Sequence, residues 1–485
     1  MIKINFYKGF SKIQLTGDDI ILRQLTKVIG WQNPNYIYTP AYKNFGWLGW
    51  TSFISKGFIA PYGSIDFIIS YLNQINHPYE LDEKLKNVVY DYSFLKDFSL
   101  SINGEPVEFR SYQKEAVEYA ISNNRSVLVS ATGSGKTVIL YMLCQYYLRN
   151  NLKVLIIVPT IELCRQAVSD FKSYGYTGEM NAVYSGQEKV GSCITVTTYQ
   201  SLVKNLQLLQ EFDALIIDEC HKAKASSMKK ILNSSSSIRF KTGMTGSLKD
   251  GSEEKAVATF FIGIPKVFTK SKDLIEHKVL ADLIISAVRF RYSKETNDKM
   301  LTSWYRDEVT FLNNDLLRNK KIIDIAIGFN KTGMIAVNEI SHCDLLYKLV
   351  RKYYPERNVY QIRGNYNERN DVMYKTFNEL KPMIEDEVNA ILIVGLKVFS
   401  TGISLKNLHF GIMGISTKSY VTLIQSIGRG LRVNKNKQSF YFVDIVDDFR
   451  NTIDDSNYSI VHFQEREKYY KEQGFYVNKT TLYLN

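Results

Sequence analysis

Through its middle and C-terminal parts the chain alternates strand-length apolar runs with segments whose apolar residues recur every three to four positions. The runs at 126–129, 154–158, 194–198 and 214–218 are strand-length, apolar or threonine-rich, and free of charge until Asp218, and helical spacing appears at 112–121 and 138–148. Strands of that kind, interleaved with helices, predict a parallel sheet covered on both faces. A second series starts near Thr332, with strands over 334–337, 359–362, 390–394 and 410–415 and helices over 342–351 and 368–377. The first hundred residues read differently. Residues 1–15 alternate weakly like a strand, 18–29 has helical spacing, 36–59 is dense in aromatics, and 78–97 reads as a helix and connector, together a separate small α+β domain. Residues 270–321 look like a linker with a strand and charged helices, and the stretch after 450 like a polar, aromatic tail. The fold class expected is therefore α/β, two tandem parallel-sheet domains behind a small α+β one. The expected boundaries are 1–105, 106–270, 271–325, 326–449 and 450–485.

Composition supports several domains, since 485 residues exceed what one core usually organises. Lys and Arg number 61 against 49 Asp and Glu, a net +12 that favours a polyanionic partner, nucleic acid before membrane. The 33 tyrosines accompany many Lys, Asn and Ile, as an AT-rich coding sequence would give, and are not by themselves evidence of base stacking. Cys144, Cys164, Cys193, Cys220 and Cys343 form no C-x-x-C pair and read as core filler in a reducing compartment. The six histidines show no ligand spacing, so no structural metal is expected. No apolar run approaches a membrane span and the start lacks a signal-peptide core, so the expectation is a soluble, intracellular protein without a membrane partner.

One stretch stands out chemically. Ser130-Ala131-Thr132-Gly133-Ser134-Gly135-Lys136-Thr137 sits where an apolar strand turns into a helix. Glycines there let backbone N–H groups surround phosphate oxygens at a helix N-terminus. Lys136 would reach the β- and γ-phosphates of ATP and Thr137 would hold Mg²⁺. Arg110 and Gln113, heading the preceding helix, suit an adenine ring, by stacking and by paired amide hydrogen bonds. Asp218-Glu219-Cys220-His221 closes the apolar run at 214–218. Asp218 at the carboxyl end of a buried strand can share the Mg²⁺, and Glu219 can orient or deprotonate the attacking water.

Pro159-Thr160 and Thr197-Thr198 lie at strand-to-helix turns and read equally as helix caps or as contacts to a sugar-phosphate backbone. Thr245-Gly246-Ser247 is placed to couple the Mg²⁺ site to the far side of a cleft. Thr401-Gly402 follows a run in the second series, and Gln425, Arg429 and Arg432 share a probable helix face, as an arginine finger requires. The aromatics of 36–59, with seven Lys or Arg against two Asp up to Ser64, read either as a nucleic-acid grip or as a small core with a solvated rim.

In this order, these motifs resemble those of the superfamily-two helicases over roughly 108–445, and most of all the phage UvsW-type helicases, which remodel branched DNA. Supporting details are Tyr-x-Pro and Phe-Gly-Trp in the N-terminal segment and the run from Val398 to Asn407. The resemblance implies two RecA-like domains with ATP in their cleft. It implies catalytic roles for Lys136, Asp218, Glu219, Gln425, Arg429 and Arg432. ATP would be bound by Arg110, Gln113, the loop from Thr132 to Thr137, and Gly402, and Mg²⁺ by Thr137 and Asp218. Coupling would fall to Thr245 and Ser247, and DNA contact to Pro159, Thr160, Thr198 and Thr401. Ser404 departs from the common aspartate, and Asp218–His221 departs from the RNA-helicase pattern. The expected activity is ATP-dependent unwinding or branch migration of forked and junction DNA by a monomer. The alternatives are a duplex translocase that does not unwind and a nucleotide-gated clamp.

Overall fold

A computed structural model of the chain describes residues 1–96, 98–102, 104–183, 193–222, 225–362, 377–396, 405, 407–417, 427–428, 430–431 and 437–484. They fall into two compact units, Met1–Ala131 with Gly135–Thr269, and Lys270–Asn485 with Thr132–Ser134.

The first unit holds a seven-stranded, wholly parallel sheet: β1 (Arg125–Ser130), β2 (Val154–Val158), β3 (Met180–Val183), β4 (Ile194–Thr198), β5 (Ala214–Ile217), β6 (Phe240–Thr245) and β7 (Pro265–Thr269). Its order is β3-β4-β2-β5-β6-β1-β7. β2 and β5 are buried at every residue, which is why they read as unbroken apolar runs rather than as alternation. Helix α1 (Ser111–Asn123) precedes β1, and α2 (Lys136–Arg149), α3 (Ile161–Ser173) and α4 (Tyr199–Lys204) follow β1, β2 and β4. Because β6 pairs with both β1 and β5, the carboxyl ends of these three strands stand side by side.

The N-terminal segment forms its own sheet, Ile59–Pro61, Lys12–Gly17, Ile2–Tyr7 and Tyr79–Leu81 in spatial order, with helices Asp19–Val28 and Ile65–Gln74. Two expectations need correction here. Residues 78–97 contain a strand and two 3₁₀ turns rather than an α-helix. Asp82 is the reason: its carboxylate accepts from Lys84 N at 2.9 Å and Phe6 N at 3.2 Å, which ends the strand in a turn. The segment is also not a separate domain. Ile4, Leu25, Tyr62 and Ile68 share one core with Leu232, Phe261 and Ile262. A Cβ on Gly63 would stand 2.4 Å from the Phe261 carbonyl carbon, so the backbones meet directly. Arg125, which opens β1, donates to Tyr62 Oη at 3.0 Å, Asp66 Oδ1 at 3.1 Å and Asn87 Oδ1 at 3.1 Å.

The second unit repeats the architecture with β8 (Asp282–Tyr292), β9 (Gly333–Val337), β10 (Val359–Ile362), β11 (Ile391–Gly395), β12 (Phe410–Met413), β13 (Ser439–Asp448) and β14 (Val477–Leu484). The order is β10-β11-β9-β12-β13-β8-β14, again all parallel. This sheet extends past the expected 326–449 on both sides. β8 comes from the supposed linker and β14 from the supposed tail. Both regions are fastened by buried ion pairs that a hydropathy reading takes for surface. Arg318 meets Asp447 at 2.8 and 2.9 Å, and Arg466 meets Asp444 twice at 2.9 Å. The helix expected over 368–377 lies almost wholly outside the described residues. Among the described residues no helix is long and apolar enough to cross a membrane.

Candidate nucleotide site

The site is built at the carboxyl edge where β1, β6 and β5 end together. After Ser130 the chain makes a tight loop in which Gly133 and Gly135 take φ of 85° and 82°. A side chain at Gly135 would be strained at that φ and would displace the Gln113 amide, whose Nε2 lies 2.5 Å from where the Cβ would stand. Gly135 then caps α2, whose first residue is Lys136. The loop thus offers backbone N–H groups and the positive end of a fourteen-residue helix at one point, which fits a phosphate chain. Lys136 Nζ donates to the Ser130 carbonyl at 3.3 Å and lies 3.8 Å from Glu219 Oε1, so the cation is already held over the loop.

Gln113 is buried, and its Oε1 accepts from Arg110 N at 3.0 Å, closing the first turn of α1. Arg110 is exposed and donates from Nη1 to Tyr112 Oη at 3.0 Å. The Gln113 side chain therefore closes the first turn of α1 and lies against the phosphate loop at Gly135.

β5 ends in the acid pair. Burial, and then the neighbouring Glu219 charge, push the Asp218 carboxyl up to about 6. Burial works against the Glu219 charge as well, yet Lys136 and the Gly246 backbone N–H hold that carboxyl below its ordinary value. A buried acid of raised pKa beside a second, ionised one is a donor set suited to a divalent cation. Glu219 reaches its place with φ of 47°, a left-handed conformation uncommon for a residue with a side chain. Its backbone N donates to Asp218 Oδ1 at 2.9 Å. Tyr199, the first residue of α4, donates its hydroxyl to the Asp218 carbonyl at 3.1 Å.

His221 and Thr245 extend this site along the edge. Burial pushes His221 down to about 4, so the ring is neutral at neutral pH. Its Nδ1 lies 2.5 Å from Thr245 Oγ1 and 3.4 Å from Glu219 Oε2. Thr245 uses its one proton on the Ser247 carbonyl at 2.9 Å and accepts from Ser247 N at 3.3 Å. The imidazole must then supply the hydrogen between them, which fixes the Nδ1–H tautomer. Glu219, His221, Thr245 and Ser247 form one chain of contacts. His221 was legible only as part of the acid motif.

The backbone-contact candidates divide. Thr160 Oγ1 caps α3 by accepting from Leu163 N at 3.3 Å, and both it and Pro159 are half-buried. Thr198 is buried, and its hydroxyl is engaged by Ser201 N at 3.3 Å and Ser201 Oγ at 3.0 Å. Of the two readings left open at these turns, the cap is present at both, and burial removes the Thr198 hydroxyl from contact with a phosphate. Thr401, Gly402, Gln425, Arg429 and Arg432 lie outside the described residues, as do Ser404 and most of the run from Val398 to Asn407. Among the described residues no three His, Cys, Asp or Glu side chains gather to hold a metal.

Residues 106–250 match the family model of the type III restriction enzyme res subunit. Sheet order, phosphate loop and acid pair are those of an ATP-hydrolysing enzyme similar to the superfamily-two helicases. Within that class the chain resembles one protein from end to end. It is 27% identical to the ATP-dependent DNA helicase UvsW of Enterobacteria phage T4, over 99% of each chain. The crystal structure of T4 UvsW matches in fold, with a TM-score of 0.50 at 24% identity and full coverage of both chains. The DNA 3'-5' translocase XPB2 of Sulfurisphaera tokodaii is 23% identical over 74% of this chain and 86% of its own.

Proposed function

We propose that the protein is an ATP-driven DNA motor that unwinds or branch-migrates forked and junction DNA in recombination, repair or replication, acting as a monomer. The observation that carries this reading is the convergence of Lys136, the Asp218–Glu219 pair and the His221–Thr245–Ser247 chain at one sheet edge. The end-to-end likeness to a phage DNA helicase supplies the substrate class.

In this reading Lys136 and the backbone from Thr132 to Thr137 bind the phosphates, while Arg110, Gln113 and Gly402 hold the rest of the nucleotide. Thr137 and Asp218 would hold Mg²⁺, which when bound neutralises charge between the phosphates. Glu219, kept ionised by Lys136, accepts the proton of the attacking water. Gln425, Arg429 and Arg432 stabilise charge on the transferring phosphoryl group. The same Glu219 is 3.4 Å from His221, so a change at the acid is felt at Thr245 and Ser247. Pro159, Thr160 and Thr401 contact the DNA backbone, and Thr198 supports them as a cap.

The test is strand separation on forks, four-way junctions and plain duplex, with and without ATP. Release of strands from forks or junctions only with ATP supports the reading. DNA-stimulated hydrolysis without strand release on any substrate refutes it. That second outcome is what a duplex translocase gives, a reading favoured by the restriction-subunit match over 106–250.

A further inference from the structure

The N-terminal segment carries a feature that its core does not explain. Strands Gly30–Gln32 and Trp50–Ser52 pair antiparallel, and residues 33–49 leave and return between them. The neck is closed by Asn33 N donating to the Gly49 carbonyl at 2.8 Å. A short helix, Pro40–Phe45, forms within the excursion on local signals alone, with Thr39 as cap and proline at its start. Tyr36 and Tyr42 meet edge to face at 5.4 Å, so the excursion packs on itself.

Its polar anchors all point inward. Trp31 Nε1 donates to the Gly251 carbonyl at 2.9 Å, Trp47 Nε1 to the Trp50 carbonyl at 2.9 Å, and Trp50 Nε1 to the Thr26 carbonyl at 3.3 Å. Its apolar groups point outward. Phe45 is 86% exposed, Tyr38 73% and Leu48 67%. Three large apolar side chains on one short, hydrogen-bonded excursion are left in water, where burial against a partner would be favourable.

Charge selects the occupant. Residues 20–65 contain no Asp or Glu, but do contain Arg23, Lys27, Lys43 and Lys56, and Lys43 lies exposed on the excursion itself. Aromatic faces interleaved with cations and free of carboxylates suit a polyanion whose units present flat rings, which is an unpaired nucleic-acid strand. A paired duplex offers its phosphates but keeps its ring faces stacked. Trp31, in the strand that leads into the excursion, is tied to Gly251 on the segment that follows Thr245–Ser247.

We propose that residues 33–49 are the surface on which the protein stacks unpaired bases of a branched DNA, with Tyr38 and Phe45 as the stacking rings. This rests on the motor reading for its substrate, and its test needs neither ATP nor unwinding. Binding of a labelled single strand, a fork with single-stranded arms and a blunt duplex is measured for the full chain by fluorescence anisotropy. The variants are Tyr38→Ala with Phe45→Ala, Tyr38→Leu with Phe45→Leu, and Tyr38→Phe with Phe45→Trp. Each thermal midpoint is checked against wild type.

The alanine pair loses on the order of tenfold or more in affinity for the single strand and fork, with blunt duplex affinity changed less than twofold. The leucine pair binds like the alanine pair, and the aromatic pair like wild type. Equal loss on all three substrates, no loss on any, or full rescue by leucine overturns the proposal. The last of these outcomes would mark an apolar protein-docking face instead. A protein that shows the expected binding series but never separates strands retires the motor reading and leaves this surface standing.

Discussion

His221→Phe tests the chain of contacts that runs from the acid pair to the Thr245 turn. The ring is neutral, with its pKa pushed down to about 4 by burial, so the substitution removes the neutral hydrogen bond to Thr245 and no charge. Thr245 Oγ1 keeps both bonds to Ser247, at 2.9 and 3.3 Å, and is not orphaned. Phenylalanine roughly conserves the volume, so no cavity term is added. The stability cost is therefore that of one net hydrogen bond, about 1 kcal/mol, or about 2–4 °C in melting midpoint for a unit of this size. Thr245→Val breaks the same contact from the other side and also strips Ser247, so it costs more. In the double variant the shared bond is lost once, which leaves a coupling energy of about 1 kcal/mol. The functional readout is strand separation per ATP hydrolysed, expected to fall at least tenfold in either single variant and no further in the double. Because the ring stays neutral, these losses are the same at pH 6 and pH 8. Additive stability losses, or wild-type yield of strand separation per ATP in His221→Phe, would show that the contact carries no coupling.

Four further outcomes are expected. Lys136→Ala and Glu219→Gln each lower DNA-stimulated hydrolysis, Glu219→Gln by ~10² to 10⁴, and wild-type rates in both would end the motor reading. Arg429→Ala lowers turnover by ~10³ to 10⁵ while ATP binding is kept, and an equal loss of binding would contradict its assignment. Asp66→Ala leaves the Arg125 guanidinium buried with only neutral partners. Since Asp66 is a quarter exposed, the cost falls below that of a fully buried pair, about 2–3 kcal/mol, read as a lower urea midpoint. His342 is buried beside Arg318, with Nε2 2.9 Å from Asn319 Oδ1, and burial pushes its pKa down to about 3. The unfolded chain, with an ordinary pKa of about 6.5, binds that proton first. Stability is therefore full above pH 6.5 and falls as pH drops toward 3, by about 2 kcal/mol at pH 5. His342→Gln should show a shallower pH dependence of urea midpoint between pH 7.5 and 5, and equal slopes would refute the linkage.

The parts of the molecule that follow apolar periodicity were legible in advance. β2, β4 and β10 begin and end where the runs predict; in β2 and β4 every position is buried, which keeps charged residues out of the run. The phosphate loop and acid pair were legible because their chemistry fixes residue types at fixed spacing. What escaped was held by buried polarity. Arg318 and Arg466 read as surface cations in a linker and a tail, yet each is fully buried against an aspartate of β13. Three acids in Val443-Asp444-Ile445-Val446-Asp447-Asp448 break the apolar pattern of the strand that gathers them. Hydropathy sees only single residues, and an ion pair becomes visible only when both partners are placed.

The same blindness misplaced the N-terminal boundary. Residues 1–105 end in a connector and carry their own sheet, which in sequence looks like independence. Arg125 shows the contrary, because the residue that opens the phosphate-loop strand has its guanidinium hydrogen-bonded, among the described residues, to Tyr62, Asp66 and Asn87. Removing the segment would leave that guanidinium unpaired and uncover Phe261 and Ile262, so truncation destabilises the first unit and cannot isolate a DNA-binding contribution. Point changes on exposed residues of the excursion can, since Tyr38 and Phe45 touch water rather than the shared core. The β-sheet that carries the phosphate loop and the surface proposed for unpaired bases are thus one folded body, in which Trp31 is tied to Gly251 on the segment that follows Thr245 and Ser247.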